Sequence, residues 1–228
     1  MKILARINWF YATFVIIVGL VLKIILFPFL PRPWASKASA WFIRILIFVH
    51  VRKIGQIDSE ARMFIINHQS ELDIGILESI TTKDLAWVAK KELFEVPFLS
   101  LAIRLSKDIP LERESKSSLL ALLKAAKERV EEGRTICIFP EGTRSETGKM
   151  RPFKPGAKII ADKLHLRVQP VVLIGTSRCF STKRLSARPG IVTAIFLDSF
   201  VADPQDKEWL KRLHDTMQET YDRYTGSG

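Results

Sequence analysis

The stretch "MFIINHQSELDIGIL", residues 63–77, decides how this chain folds. Four apolar residues lead into Asn67, the polar group "HQSELD" follows, and apolar periodicity resumes at "IGIL". A short apolar run reads as a buried strand, and the resumed pattern reads as a helix. Ser70 and Asp73 have capping-box spacing ahead of that helix. A strand that passes into a helix through so short a turn is the building unit of an α/β layered sheet. Residues five apart on one continuous helix diverge by about 140°. With His68 in the turn and Asp73 on the first helical turn, the carboxylate can reach back to the imidazole. On spacing alone two readings of Asp73 stay open. It caps the helix, or it fixes the tautomer of His68 and raises the basicity of the other ring nitrogen. His68 stands at the C-terminal end of a strand, where sites in α/β sheets gather.

The same alternation extends outward. Strands are expected at 61–66, 85–89, 134–139, 168–174 and 191–197, and helices at 71–80, 92–106, 115–132, 155–165 and 205–223. A second polar constellation, "FPEGTRS" at 139–145, follows the apolar run "TICIF". Pro140 ends the strand and Gly142 permits a tight turn whose backbone N–H groups can form an anion nest. Arg144 adds a bidentate fork for phosphate. Lys90, ending "LAWVAK", and Arg113, ending "IPLER", are further candidate anion-binding cations, although each alone reads as a solvated charge.

Ahead of this region residues 9–27 carry one charge, Lys23. As a helix they measure about 28 Å, near the thickness of a bilayer core. Pro28, Pro31 and Pro33 break the helix. A second greasy run, Trp41 to Val51, is shorter and carries Arg44 and His50. Lys2 and Arg6 precede the first run, and Arg32 and Lys37 follow it, which puts both of its ends on the cytoplasmic side. A two-helix hairpin sunk into one leaflet satisfies this better than a single span or a cleaved leader. The expected organisation is thus a membrane-docking region over residues 1–53 and an α/β domain over 54–228.

Charge is segregated along the chain. Residues 1–57 hold eight Lys/Arg and no acid, and residues 144–190 hold eleven against Glu146 and Asp162, within a formal net charge of +11. Such basic regions call for anionic partners, and the apolar character of the first favours a lipid surface over nucleic acid. Cys137 and Cys179 suggest neither a disulfide framework nor a zinc-ligand spacing.

"NHQSELD", "IPLER", "FPEGTRS" and "VQPVV" occur in the order and spacing of the glycerolipid acyltransferase family, and the chain resembles its bacterial 1-acyl-sn-glycerol-3-phosphate acyltransferases over about residues 60–175. "VAKKELF" and "FKPGAKIIA" are similar too, with Pro155 departing from the family pattern, and the paired greasy segments resemble its membrane-docking helices. The resemblance implies that His68 deprotonates the free hydroxyl of lysophosphatidic acid and that Asp73 orients His68. It implies that Lys90, Arg113, Glu141, Gly142, Thr143 and Arg144 bind substrate, with Glu141 also bracing its loop. Backbone near Val171 would help stabilise the oxyanion. The acyl donor would be acyl-CoA or acyl carrier protein, used as a substrate, with no resident cofactor or metal. The implied location is the cytoplasmic face of the inner membrane, with phospholipid as partner and no nucleic acid. There is no G-x-S-x-G elbow, so direct transfer between the two substrates is expected. Competing readings are the same transfer to glycerol 3-phosphate or another lysolipid, a membrane esterase, and a basic lipid-binding module without catalysis.

Overall fold

The structure, a computed structural model, describes residues 2–112 and 116–226. Two helices come first, α1 (Lys2–Leu26) and α2 (Arg32–Leu46). Ten strands and six further helices follow: β1 (Val49–Ile54), β2 (Met63–Ile66), α3 (Leu72–Ile80), β3 (Leu85–Lys90), α4 (Leu99–Leu105), β4 (Ile109–Leu111), α5 (Lys116–Glu131), β5 (Thr135–Ile138), α6 (Gly156–Lys163), β6 (Arg167–Ile174), α7 (Thr176–Cys179), β7 (Phe180–Ser181), β8 (Ser186–Ala187), β9 (Gly190–Phe196), β10 (Phe200–Val201) and α8 (Trp209–Thr225).

The main sheet runs β1-β9-β6-β2-β5-β3-β4, with β10 added against β6. From β6 to β4 all neighbours are parallel, β9 is antiparallel to β6, and β1 lies parallel to β9. The five expected strands are present, four of them forming the parallel centre. Strand residues alternate between two cores. Phe64, Ile66, Cys137, Val171 and Leu173 face one, and Met63, Ile65, Ile136, Ile138, Val168 and Val172 face the other. The first core is covered by α1, α2 and α3, and the second by α5, α6 and α8. The result is a helix–sheet–helix sandwich, as expected for strands buried on both faces.

The N-terminal helices belong to the first layer, which alters two expectations. The chain does turn at Pro28 to Pro31, but α2 begins at Arg32, because a proline in the first helical turn is tolerated where its missing N–H has no partner to lose. The greasy run to Val51 is not one helix. It breaks at Phe48, and Val49–Ile54 forms a strand paired with β9. A boundary at residues 53/54 therefore falls inside β1. The expected helix over 92–106 is likewise divided, into a 3₁₀ turn Lys91–Glu95 and α4, at Pro97.

α2 packs back along α1. Tyr11 donates its hydroxyl to the Leu46 carbonyl at 3.1 Å, and Ser39 donates to the Gly19 carbonyl at 2.6 Å. Gly19 is needed there, since a Cβ would stand 2.3 Å from the Ile43 side chain. The lone charge of residues 9–27 is turned inward. The Lys23 ammonium pairs with Glu78 of α3 at 2.9 Å, both side chains 9% exposed. Arg32 of α2 pairs with Asp84 at 3.2 Å, and Arg134 meets the same carboxylate at 3.0 Å. The opposite face of α1 is bare, with Ile3, Ile7, Phe10, Phe14, Ile17, Val21 and Ile25 exposed at helical spacing.

Candidate active site

The site is built where β2 ends. The Asn67 side chain pairs with Leu173 of β6 as a strand residue would, donating to its carbonyl at 2.9 Å and accepting its N–H at 2.6 Å. That satisfies the neighbouring strand while releasing the main chain into the turn. Three groups then converge on Asp73 Oδ2: the Gln69 N–H at 2.7 Å, the Ser70 N–H at 2.9 Å and Nδ1 of His68 at 2.8 Å. Both readings of Asp73 hold at one oxygen. It closes the turn as a cap, with Ser70 Oγ reciprocally accepting the Leu72 N–H at 3.1 Å, and it grips the imidazole. A carboxylate accepts only, so Nδ1 carries a proton, and Nε2 is the nitrogen that can accept one when the ring is neutral. Asp73 is wholly buried, whereas the His68 side chain is 19% exposed.

His68 continues the alternation of Phe64 and Ile66, and its ring stacks on Phe139 with centroids 3.9 Å apart. Phe139 stacks in turn on Trp87 at 5.3 Å. This aromatic ladder crosses β2, β5 and β3 and fixes the plane of the imidazole. The Trp87 N–H donates to Asp108 Oδ1 at 3.0 Å. Full burial pushes the Asp108 carboxyl up to about 7, against the pull of Lys23, this N–H and Arg134. Between its ordinary 3.8 and about 7 the folded chain holds a proton that the unfolded chain releases, so stability falls as pH rises across that window. Asp108→Asn keeps an acceptor for Trp87 and should remove this component. Urea titrations of both proteins from pH 4 to pH 8 check it: the variant should gain on the wild type as pH rises.

The two polar motifs are clasped together. The His68 N–H donates to Glu141 Oε1 at 2.8 Å, the Arg151 N–H to Glu141 Oε2 at 2.8 Å, and the Ser145 N–H to the His68 carbonyl at 2.8 Å. Glu141 is 2% exposed. Burial raises its pKa, while the two N–H bonds and His68 pull it down. Its carboxylate thus faces backbone donors from two segments and braces the loop. Gly142 takes a left-handed φ of +66° as expected, but its N–H returns to the Phe139 carbonyl at 3.0 Å. The nest is correspondingly narrower than the motif suggests.

Cationic side chains line the rim. Arg144 pairs with Glu71 and meets Thr182 Oγ1 at 3.1 Å, so its second edge is what an anion would meet. Thr143 is exposed beside it. Lys154, from "FKPG", lies across Gly142, its Nζ 3.2 Å from where a Cβ would stand. Sequence reasoning did not single out Lys154, and only its position two residues before Gly156 and α6 hinted at a site. Lys90 ends β3 exposed, and strand alternation puts it with Val88, opposite Trp87. No hydrogen bond or ion pair among the described residues joins it to the His68 turn. Arg113 lies outside the described residues. Val171 is fully buried inside β6, paired to Ile66 on one side and Phe196 on the other, which places the backbone expected near the oxyanion within the central sheet.

A family model described as Acyltransferase matches residues 48–174, from the β1 edge to the end of β6. The chain belongs to the acyltransferase family. An acyltransferase of Helicobacter pylori, 1-acyl-sn-glycerol-3-phosphate acyltransferase, is 39% identical over 216 residues, covering 92% of this chain and 91% of the relative. The chloroplastic 1-acyl-sn-glycerol-3-phosphate acyltransferase LPAT1 of Arabidopsis thaliana is 33% identical over 154 residues, 68% of this chain but 42% of the longer plant acyltransferase. Among solved structures, the 1-acyl-sn-glycerophosphate acyltransferase PlsC of Thermotoga maritima shares the fold, with a TM-score of 0.76 at 23% identity over 99% of this chain and 98% of that one. The acyltransferase match spans both clasped motifs, and the fold match extends to α1 and α2.

Proposed function

We propose that the protein transfers an acyl chain from a thioester, acyl-CoA or acyl carrier protein, to the sn-2 hydroxyl of 1-acyl-sn-glycerol 3-phosphate, giving phosphatidic acid. The observation that carries this is the His68–Asp73 pair, 2.8 Å apart, clasped to a loop that bears Arg144 and Lys154. A base stands beside cations suited to a phosphate, the arrangement a hydroxyl on a phosphorylated glycerol requires. Both acyltransferase relatives carry the name of this activity.

In this mechanism Nε2 of His68 takes the hydroxyl proton as the oxygen attacks the thioester carbonyl. Asp73 stabilises the imidazolium. The tetrahedral intermediate collapses, the C–S bond breaks, and the imidazolium returns its proton to the leaving thiolate. No side chain of the protein needs to carry the acyl group. Ser70 Oγ is spent on the Phe180 carbonyl at 2.7 Å, and burial raises the pKa of both cysteine thiols, which leaves them protonated.

The test is purified protein with lysophosphatidic acid and a labelled acyl donor, read as phosphatidic acid by chromatography. Preferential acylation of glycerol 3-phosphate, or release of free fatty acid without acceptor, overturns the reading. Arg144→Ala and Lys154→Ala should each raise KM for lysophosphatidic acid about ten-fold, the scale of one charge-assisted contact, and leave KM for the donor unchanged. Equal losses on both substrates would assign these cations elsewhere.

The bare face of α1 supports residence in one leaflet at the cytoplasmic surface of the inner membrane. Ile3–Leu26 is long and apolar enough to cross a bilayer, but Ala5, Ala12, Val15 and Lys23 are buried against the rest of the protein. A helix so packed cannot span unless the sheet enters the lipid with it. Apolar burial resists salt and basic contacts do not. High salt should therefore leave the protein on membranes and detergent should release it. Stripping by salt alone, or protease cleavage of the N-terminus from the far side, would refute the single-leaflet arrangement.

A further inference from the structure

Where α1 meets the sheet edge there is a cavity of about 160 Å³, walled by Ala12 of α1, the Ile47–Phe48 turn, Cys179 and Ala187. The cavity is open on one side, and apart from Asn8, Tyr11 and Arg188 its lining is apolar, which suits an apolar guest entering from that side. Its mouth is bordered by Tyr11 and Phe48, 45% and 62% exposed, which continue the bare face of α1. Phe48 holds φ +56°, a left-handed conformation that a bulky residue keeps only when its surroundings impose it. Its N–H and carbonyl are both tied, to the Ile45 carbonyl at 3.0 Å and the Gly190 N–H at 3.2 Å. Arg188 stands at the rim, exposed, its N–H fixed to the Cys179 carbonyl at 2.9 Å. Its guanidinium has no carboxylate partner among the described residues. Phe180, buried and stacked on Trp9 at 6.4 Å, separates this cavity from Ser70 and the His68 turn.

We infer that the cavity takes the upper part of one acyl chain of an anionic diacyl phospholipid of the bilayer, whose phosphate rests on Arg188. It is a resident-lipid site beside the catalytic turn, apart from the acceptor's own place. Apolar walls receive the chain, a planar fork suits the phosphodiester, and the mouth opens at the depth where chain and headgroup meet. The inference rests on the single-leaflet reading of α1.

The experiment uses the full chain on phosphatidylcholine vesicles containing a photoreactive phosphatidylglycerol, its diazirine near the glycerol end of one chain. After irradiation, peptide mass spectrometry should place adducts at Ala12, Phe48 or Ala187. Arg188→Gln should cut that labelling about ten-fold, the worth of one charge-assisted contact, while vesicle binding and turnover stay unchanged. Adducts confined to Phe10, Phe14 and Ile17 would overturn the inference, as would equal labelling in Arg188→Gln or by photoreactive phosphatidylcholine. Displacement by lysophosphatidic acid in step with turnover would make the cavity the acceptor's channel and overturn it too. Failure to bind vesicles at all would sink the membrane reading itself, whereas binding without cavity adducts sinks this site alone.

Discussion

Replacing His68 with alanine should abolish phosphatidic acid formation, by a factor on the order of 10²–10⁴, the usual worth of a positioned general base. The loss should fall on kcat, because the ring is held by Asp73 and Phe139 and not by a phosphate-binding cation. Near-wild-type turnover in the purified variant would remove His68 from the chemistry. Asp73→Asn separates the two duties of the carboxylate. Asparagine can still accept the Gln69 and Ser70 N–H groups, so the turn should survive, but it cannot stabilise an imidazolium. Activity should drop on the order of 10²-fold or more, with only a small change in thermal midpoint. A variant that is active but much less stable would mean that Asp73 serves the turn alone.

The second large effect concerns stability. Lys23→Met leaves Glu78 buried with its counter-charge gone. Removing one partner of a buried pair costs about 3–5 kcal/mol. For a chain of this size that lowers Tm by roughly 6–20 °C. The double variant Lys23→Met/Glu78→Leu removes both charges and should recover most of the loss, since apolar replacements of buried pairs are often neutral. Differential scanning calorimetry of the three proteins in one detergent decides it. A single variant no less stable than the double would show that the pair is solvated in practice.

The central sheet was legible because its strands are short apolar runs closed by polar turns, and each of the five stands within a residue or two of its expected place. The His68–Asp73 pairing was legible for the same reason: a helix start after His68 leaves few other positions for the carboxylate. β1 was not legible. "VHVRKI" continues a greasy run without Gly or Pro, and only its pairing with β9, far along the chain, makes it a strand. The ladder His68–Phe139–Trp87 needed the register of three strands, which no local pattern contains. The inward turn of Glu141 was not legible, since Thr143 and Arg144 of the same motif are exposed; its carboxylate meets N–H groups at His68 and Arg151, contacts set by the clasp between two loops. Lys154 reaches Gly142 through a backbone bond to Pro140, again a long-range fact.

The pairing of Lys23 with Glu78 also has a history during synthesis. Fifty-five residues separate the two, and at about 5–20 residues per second they emerge roughly 3–11 s apart. Through that interval α1 is an apolar segment with an unanswered ammonium, the same segment a translocation apparatus reads as a candidate span. Only when α3 has formed does the charge have somewhere to go that is neither water nor lipid. A pause of the ribosome between residues 26 and 78 would lengthen the time that the first helix spends without its own domain to dock onto.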